Sequence, residues 1–370
     1  MRIDDLRLWR LEIPFKVKFR HAAAERSRMA SVWVEARGSG VCGFGEGCPR
    51  EYVTGESLAS AEDFFRRTRD ALVGEVRSVD DLRAWQSQHV NEIDANPSAW
   101  CGVELALLDL FARDERRPVE SLIGSPPLRD SYRYSAVLGD GGFPSGLKTA
   151  LKYRAFGLTD FKVKLSGDAA ADNRKLKTVR ALGVAAARIR VDANNLWHSS
   201  HEAASYLCAL GPLAAIEEPI ASGDFEGMRR IAEQTGARII LDESMLRADQ
   251  LTSIGDDPHR WIANVRVSKM GGLLRSLEVV QRARELGVGV IVGAQVGETS
   301  VLSRAALPVA QAAGEALYAQ EGAFGTRLLQ HDVCPKPLMF GFGGVLETNS
   351  LKLNERAGWG LELEWGDSAT

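Results

Sequence analysis

Asp192, Glu217 and Asp242 each stand where a short run of apolar and β-branched residues gives out, in Arg188-Ile189-Arg190-Val191-Asp192, Ile216-Glu217-Glu218-Pro219 and Arg238-Ile239-Ile240-Leu241-Asp242. Set side by side, three carboxylates repel one another unless a cation neutralises them. A hard divalent ion with oxygen ligands answers that need, and Mg2+ suits a site that keeps positions for water or substrate. One such acid alone would serve equally well as the N-cap of a following helix. Three at matching ends point to a shared ligand. Lysines accompany them. Lys162 and Lys164 are two residues apart, so on a strand they share a side, opposite Phe161, Val163 and Leu165. Lys269 ends the run that begins at Trp261. Crowded ammonium groups are costly to bury without nearby carboxylates, and mutual repulsion or a metal favours the neutral amine that a general base needs. Lys164 and Lys269 would then flank one metal on opposite faces, with the three acids between them.

The positioning elements follow from the spacing. Lys164 to Asp192 is 28 residues, Asp192 to Glu217 is 25, Glu217 to Asp242 is 25 and Asp242 to Lys269 is 27. That interval is one strand, one helix and two short loops. From about Tyr132 onward such units recur, with helical segments expected over 172–182, 200–210, 225–235, 276–286 and 300–313. Strand–helix alternation means parallel β/α units, and eight fit the roughly 250 residues of a (β/α)8 barrel of the TIM type. Its active site lies at the C-terminal ends of the strands.

The first part has another character. Apolar residues over 3–13 alternate in part, 31–36 alternate well, and Gly38-Ser39-Gly40 turns the chain into Val41 to Glu46, an antiparallel meander. Helical spacing follows over 57–73 and 80–93, then over 99–113, which is apolar on most sides. Pro118 and Gly124-Ser125-Pro126-Pro127 punctuate the end. The expectation is an α+β domain over 1–127, a (β/α) barrel over 128–345 and a closing segment over 346–370.

The order Lys-x-Lys, Asp, Glu, Asp, Lys resembles the enolase superfamily, in its mandelate racemase and muconate-lactonizing family, muconate-lactonizing and dipeptide-epimerase subgroup. The signatures are Phe161-Lys162-Val163-Lys164, Val191-Asp192-Ala193-Asn194, Ile216-Glu217-Glu218-Pro219, Leu241-Asp242-Glu243-Ser244 and Lys269-Met270-Gly271-Gly272-Leu273. Gly43-Phe44-Gly45-Glu46 resembles the family's capping domain, Ala106 to Leu110 its buried helix, and Gly358-Trp359-Gly360-Leu361 the segment that returns to complete that domain. The resemblance implies an α/β fold with a barrel and an N-terminal α+β cap. It implies Mg2+, with Mn2+ as a substitute, on Asp192, Glu217 and Asp242. The choice of Glu217 over Glu218 comes from the resemblance, since neighbouring strand residues face opposite ways.

The implied chemistry is removal of the proton α to a substrate carboxylate by Lys164 or Lys269, through a metal-stabilised enolate. Return of the proton to the other face gives racemisation or epimerisation of an amino-acid derivative, and other fates of the intermediate give muconate-type cycloisomerisation or loss of a β group. Lys162 would tune Lys164 and neutralise the anion. Asn194, Glu243 and Glu298 would support the ligands or the substrate. Two capping-domain loops, with Arg20, His21 and Arg26 in one and Tyr52 in the other, would select it. Dipeptide epimerases of the subgroup carry Asp-x-Asp near the eighth strand to hold an α-ammonium. Here the stretch reads Gln320-Glu321-Gly322-Ala323-Phe324-Gly325-Thr326, without that motif, and with Leu328-Leu329 looks more like the muconate-lactonizing or acylamino-acid branches. Asp140-Gly141-Gly142 is an unusual first-strand region that would reshape the pocket.

Composition narrows the alternatives. At 45% hydrophobic and 26% charged residues, the chain is an ordinary globular one rather than a disordered one. A net charge of −3 supplies no basic footprint for nucleic acid or an anionic membrane. No run is long and apolar enough for a span, and the acidic start Met1-Arg2-Ile3-Asp4-Asp5 is unlike a signal peptide. A cytoplasmic enzyme is expected, acting on a small carboxylate and forming homo-oligomers as the family often does. Five cysteines without Cys-x-x-Cys suggest neither disulfides nor a zinc site, and Cys101, Cys208 and Cys334 read as buried thiols. His198 and His201, beside Ser199-Ser200, read as a helix start. Two other readings use the same residues: a lysine Schiff-base aldolase, which needs no metal, and a carboxylate binder that has kept the fold.

Overall fold

The structure is a computed structural model that describes residues 1–21, 24–139, 143–255 and 257–364; the side chains of 17–26 and 143–145 lie outside the described set. Strands β1 (Asp5–His21), β2 (Ala24–Gly38) and β3 (Val41–Gly47) form an antiparallel meander in sequence order. The expected turn is there: Ser39 and Gly40 have φ of 50° and 76°, the left-handed pair that a tight hairpin asks for. The meander packs on helix α1 (Leu58–Glu75) and, beyond α2 (Val79–Gln88), on α3 (Pro97–Asp114), against which α2 also lies. The spacing over 80–93 suggests one helix. The chain instead breaks at His89, whose ring stacks on Trp85 with centroids 3.9 Å apart, and resumes as Val90–Ala95.

α3 is buried on nearly every side, as its apolar sequence implies. The strand on it explains the alternate glycines of β3. A Cβ on Gly43, Gly45 or Gly47 would lie 2.2, 2.1 or 1.9 Å from the backbone of α3. Only a strand without side chains on that face can lie flat on the helix.

Strands β4 (Ser131–Arg133) and β13 (Val345–Glu347) form a small antiparallel pair beside the barrel. The barrel itself is β5 (Ala136–Leu138), β6 (Phe161–Lys164), β7 (Ile189–Asp192), β8 (Ala215–Glu217), β9 (Arg238–Leu241), β10 (Trp261–Val265), β11 (Gly289–Val292) and β12 (Leu317–Gln320). All seven neighbouring pairs are parallel and follow chain order. The first and last strands meet through Ser135 N–H, which donates to the Gln320 carbonyl at 2.8 Å. Helices α4 (Phe143–Ala155), α5 (Ala169–Ala181), α6 (Ser200–Ala209), α7 (Phe225–Thr235), α8 (Leu273–Leu286) and α9 (Ser300–Ala313) cover the outside. Between β9 and β10 the cover is a 3-10 turn, Ala248–Ile254, in place of an α-helix.

The tail returns to the first domain. Trp359 is fully buried, its backbone N–H donates to Asp109 on α3 at 2.8 Å, and its indole N–H donates to the Leu105 carbonyl at 3.2 Å. Ser199 caps α6 by accepting from Glu202 N–H, the helix start that Ser199-Ser200 implies. Cys208 corrects another expectation: it is exposed, because it falls on the outward side of α6, while Cys101 and Cys334 are buried. Asp140-Gly141-Gly142 lies outside the described residues. Among the described residues no helix is long and apolar enough to cross a membrane.

Candidate active site

Strand register assembles the site. Lys164 on β6 pairs with Asp192 on β7, and Asp192 pairs with Glu217 on β8. Glu217 in turn pairs with Ile240 on β9, and Asp242 follows two residues later. Three neighbouring strands thus present Lys164, Asp192 and Glu217 in one row, with Asp242 one step further out. The two adjacent glutamates are separated by the backbone. Glu218 has φ of 37°, and its carboxylate accepts from Asp242 N–H at 2.7 Å, Ser244 N–H at 2.8 Å and the Ser244 hydroxyl at 2.9 Å. Glu218 therefore holds the turn that carries Asp242, while Glu217 faces the lysines.

Lys162 and Lys164 both point inward and are 4% and 9% exposed. Lys162 Nζ lies 2.7 Å from Glu217, 3.1 Å from Glu321 and 3.5 Å from Asp192. Burial alone would strip its proton, but Glu217, Glu321 and Asp192 together push its proton affinity well above the ordinary lysine value. The acids around Lys162 outweigh the other cations and keep it charged, as a group that neutralises an anion must be. Lys164 Nζ is 3.7 Å from Asp192 and donates to Asn194 Oδ1 at 3.1 Å. Asn194 is in the left-handed region, φ 46°, which turns it back over the strand end.

Lys269 needs a correction of place. It does not end β10, which stops at Val265, but sits on the single helical turn Val267–Met270. A strand could not have aimed it back at its neighbour's end. From the turn its Nζ donates to Asp242 Oδ1 at 2.8 Å and to the carbonyls of Asp242 and Asn264 at 2.7 and 2.8 Å. It is fully buried, and burial, reinforced by the Arg266 charge, lowers its proton affinity. The two glycines after it have a physical reason. Gly271 and Gly272 have φ of 82° and 103°, and a Cβ on Gly272 would lie 2.3 Å from the Glu104 carboxylate of α3. Glu104 caps α8 from the other domain, accepting from Leu273 and Leu274 N–H at 2.5 and 3.1 Å.

The carboxylates differ in what surrounds them. Burial works to raise all three. At Asp192 the charges of Lys162 and Lys164 win, and at Asp242 those of Arg266 and Lys269 win, so both fall below the ordinary carboxyl range. Glu217 goes the other way, to about 8: burial dominates, Lys162 offsets only part of it, and Asp192 and Asp242 repel the charge. Glu243 is also pushed up to about 8, by burial and by Asp242 and Glu218, and its Oε2 is buried without a hydrogen-bond partner.

The peripheral candidates are scattered. Glu298 accepts from Gln295 N–H at 2.6 Å and is raised to about 8 by burial, with Glu46 of the capping domain adding repulsion. Tyr52 lies on the turn Glu51–Thr54, half-buried, within the electrostatic reach of Arg266. The side chains of Arg20, His21 and Arg26 lie outside the described residues. Three residues that sequence reasoning passed over join the site. Glu321, just past β12, accepts from Lys162 and, at 3.1 Å, from Arg190. Arg190 also reaches Asp160 at 2.6 Å and Ser135 at 3.0 Å. Arg266 donates to Asp242 Oδ2 and, at 3.1 Å, to Gln295. Glu321 carried the same signal as the three acids, a lone carboxylate at a strand end. Arg190 stands two residues before Asp192, so strand parity already placed it on the inward side, whereas Arg266 carried no signal because its aim depends on where β10 ends.

Among the described residues no three acids, histidines or cysteines close on one point as a metal cage; the carboxylates lean instead on Lys162, Arg266 and Lys269. The donor set still fits a hard cation. It is all oxygen and buried, and Asp192 and Asp242 add repulsion to the burial that raises Glu217 to about 8.

Comparison with known proteins places the chain. Residues 6–124 match the mandelate racemase / muconate lactonizing enzyme N-terminal domain, and residues 147–367 match the family described as enolase C-terminal domain-like. The chain belongs to this family of the enolase superfamily. It is 25% identical over 374 residues to an N-succinyl-L-Arg/Lys racemase of Bacillus cereus, covering 98% of this chain and 96% of that one. Its fold is that of a dipeptide epimerase of Enterococcus faecalis solved with Mg and the dipeptide L-Leu-L-Tyr (TM-score 0.82, 24% identity, 98% and 100% of the chains). It is likewise that of a 2-chloromuconate cycloisomerase of Rhodococcus opacus (TM-score 0.85, 23% identity, 98% and 97% of the chains). The chain is accordingly an enzyme of the isomerase type, and its chemistry is the family's Mg-dependent abstraction of a proton next to a carboxylate.

Proposed function

We propose that Lys164 and Lys269 are the two bases of a proton-transfer site, with Mg2+ (or Mn2+) held by Asp192, Glu217 and Asp242. The observation that carries this reading is the placement of the two amines at opposite ends of one acid row, Lys164 3.7 Å from Asp192 and Lys269 2.8 Å from Asp242. One lysine removes the α-proton of a substrate carboxylate, and the other delivers a proton to the opposite face. A bound Mg2+ would supply Lewis-acid stabilisation of the charge that develops on the carboxylate. Lys162, kept charged by Glu217, Glu321 and Asp192, adds a fixed positive charge beside the enolate. Asn194 orients Lys164. Glu243, Glu298 and Tyr52 support the ligands or the substrate.

The substrate in this reading is a carboxylate without a free α-ammonium, either an N-acylamino acid undergoing racemisation or a muconate-type acid undergoing cycloisomerisation. Glu321 supports this, because it is spent on Lys162 and Arg190 and so is not offered to an ammonium group. We take the enzyme to be a cytoplasmic homo-oligomer, with its cap over 1–127, its barrel over 128–345 and a closing segment over 346–370. The test is incubation in D2O with Mg2+ across N-acylamino acids, dipeptides, hydroxy acids, proline derivatives and muconates. Deuterium should enter at the carbon next to the carboxylate, and EDTA should abolish the exchange. Turnover of a substrate with no solvent deuterium in the product would overturn the two-base reading.

A further inference from the structure

Arg266 occupies the joint between β10 and the turn that carries Lys269. Its guanidinium donates to Asp242 Oδ2 and to Gln295 Oε1, and stands 3.8 Å from Glu217. Lys269 takes the other oxygen of Asp242, so that carboxylate is fully engaged. The two cations are held differently. Lys269 is anchored by two backbone carbonyls, whereas the hydrogen-bond acceptors of Arg266 are the side chains of Asp242 and Gln295. Among the buried polar atoms of this region without hydrogen-bond partners are Arg266 Nε and Glu243 Oε2, along with Asn264 Oδ1 and Gln295 Nε2. Of the first two, one is a donor and the other an acceptor, and each residue lies in the other's field.

We propose that Arg266 is an internal counter-ion that competes with the divalent cation for Asp242 Oδ2, and that it sets metal affinity by shifting between Asp242 and Glu243. The inference rests on Asp242 being a metal ligand. A carboxylate oxygen that accepts from a guanidinium cannot also coordinate a cation at full strength. The guanidinium must therefore yield, and of the open acceptors in the region Glu243 is the carboxyl whose field it already feels. Arg266 acts through the ligand and is a positioning residue.

The test uses the full chain and Mn2+ as the probe, with free ion counted by electron paramagnetic resonance. Arg266→Met should bind Mn2+ about tenfold or more tightly, because a competing like charge is gone. The same variant should melt at a lower temperature in EDTA, since the acid row has lost a counter-ion, and Mn2+ should restore it by a larger shift than in wild type. A merely structural arginine would weaken stability and metal binding together. Arg266→Lys, which keeps the charge as a single ammonium without the guanidinium fork, should fall between. Glu243→Gln should weaken Mn2+ binding in wild type and lose that effect in the Arg266→Met background. A folded Arg266→Met protein with wild-type or weaker Mn2+ affinity overturns the inference and leaves the metal site standing. Absence of Mn2+ binding by the wild type overturns both.

Discussion

Replacing Glu104 with Gln tests how the two domains are tied together behind Lys269. Glu104 is fully buried on α3, yet its carboxyl accepts the first two N–H groups of α8 in the barrel, at 2.5 and 3.1 Å. Burial dominates and raises its proton affinity from an ordinary 4.5 to about 8. The sign follows from proton counting. Between these two values the folded chain holds a proton that the unfolded chain has released, so stability falls as pH rises and levels off above about 8. A full proton difference is worth about 1.4 kcal/mol for each pH unit, so this one group accounts for up to roughly 4–5 kcal/mol across the window. Gln does not titrate. Its amide oxygen can still accept, but its NH2 faces a backbone donor, at a cost of about 1–2 kcal/mol. Wild type and variant should therefore be about equally stable at pH 5.5, and the variant should be ahead by about 3 kcal/mol at pH 9. Urea midpoints of both proteins in EDTA, at pH 5.5, 7 and 9, measure the difference. A difference that stays constant with pH, or moves toward wild type as pH rises, would refute the reasoning, because the carboxylate would then be a charged cap that its two N–H donors fully sustain.

Three further outcomes can be checked. Lys164→Ala and Lys269→Ala should each lower kcat by about 10²–10⁴-fold while Mn2+ binding is largely kept, as expected for lost general bases; steady-state rates with ion titration separate the two effects. Gly45→Ala should destabilise the cap by about 1–3 kcal/mol, read as a urea midpoint, because its Cβ would meet the Gly102 carbonyl of α3 at 2.1 Å. Arg304→Met should cost about 3–5 kcal/mol by stranding the buried Glu120 carboxylate, which Arg304 now holds at 2.7 and 2.9 Å. Adding Glu120→Gln should recover part of that loss.

Much of the site could be read in the sequence because a parallel barrel converts spacing into position. Intervals of 25 to 28 residues place Asp192, Glu217 and Asp242 at successive strand ends, and parity turns Lys162 and Lys164 inward. The hairpin at Ser39-Gly40, the helices over 225–235 and 300–313, and the all-round burial of α3 were legible for the same reason: local composition and period decide them. What spacing cannot carry is direction at the strand ends. Glu217 and Glu218 are adjacent in sequence, and only the left-handed backbone at Glu218 assigns one to the lysines and the other to the turn of Asp242. Lys269 reads as the end of a strand, but it sits on a helical turn that closes with Gly272 packed against Glu104, from a helix far earlier in the chain.

The charge states were decided later still. A linear reading assigns roles to the lysines but not their proton affinities: Glu217, Glu321 and Asp192 keep Lys162 charged, while burial and Arg266 loosen the proton of Lys269. Residue types and their intervals determine which groups reach one end of the barrel. Electrostatic interaction depends on distance in space, across strands and across domains, so what each group becomes there is set by the tertiary structure.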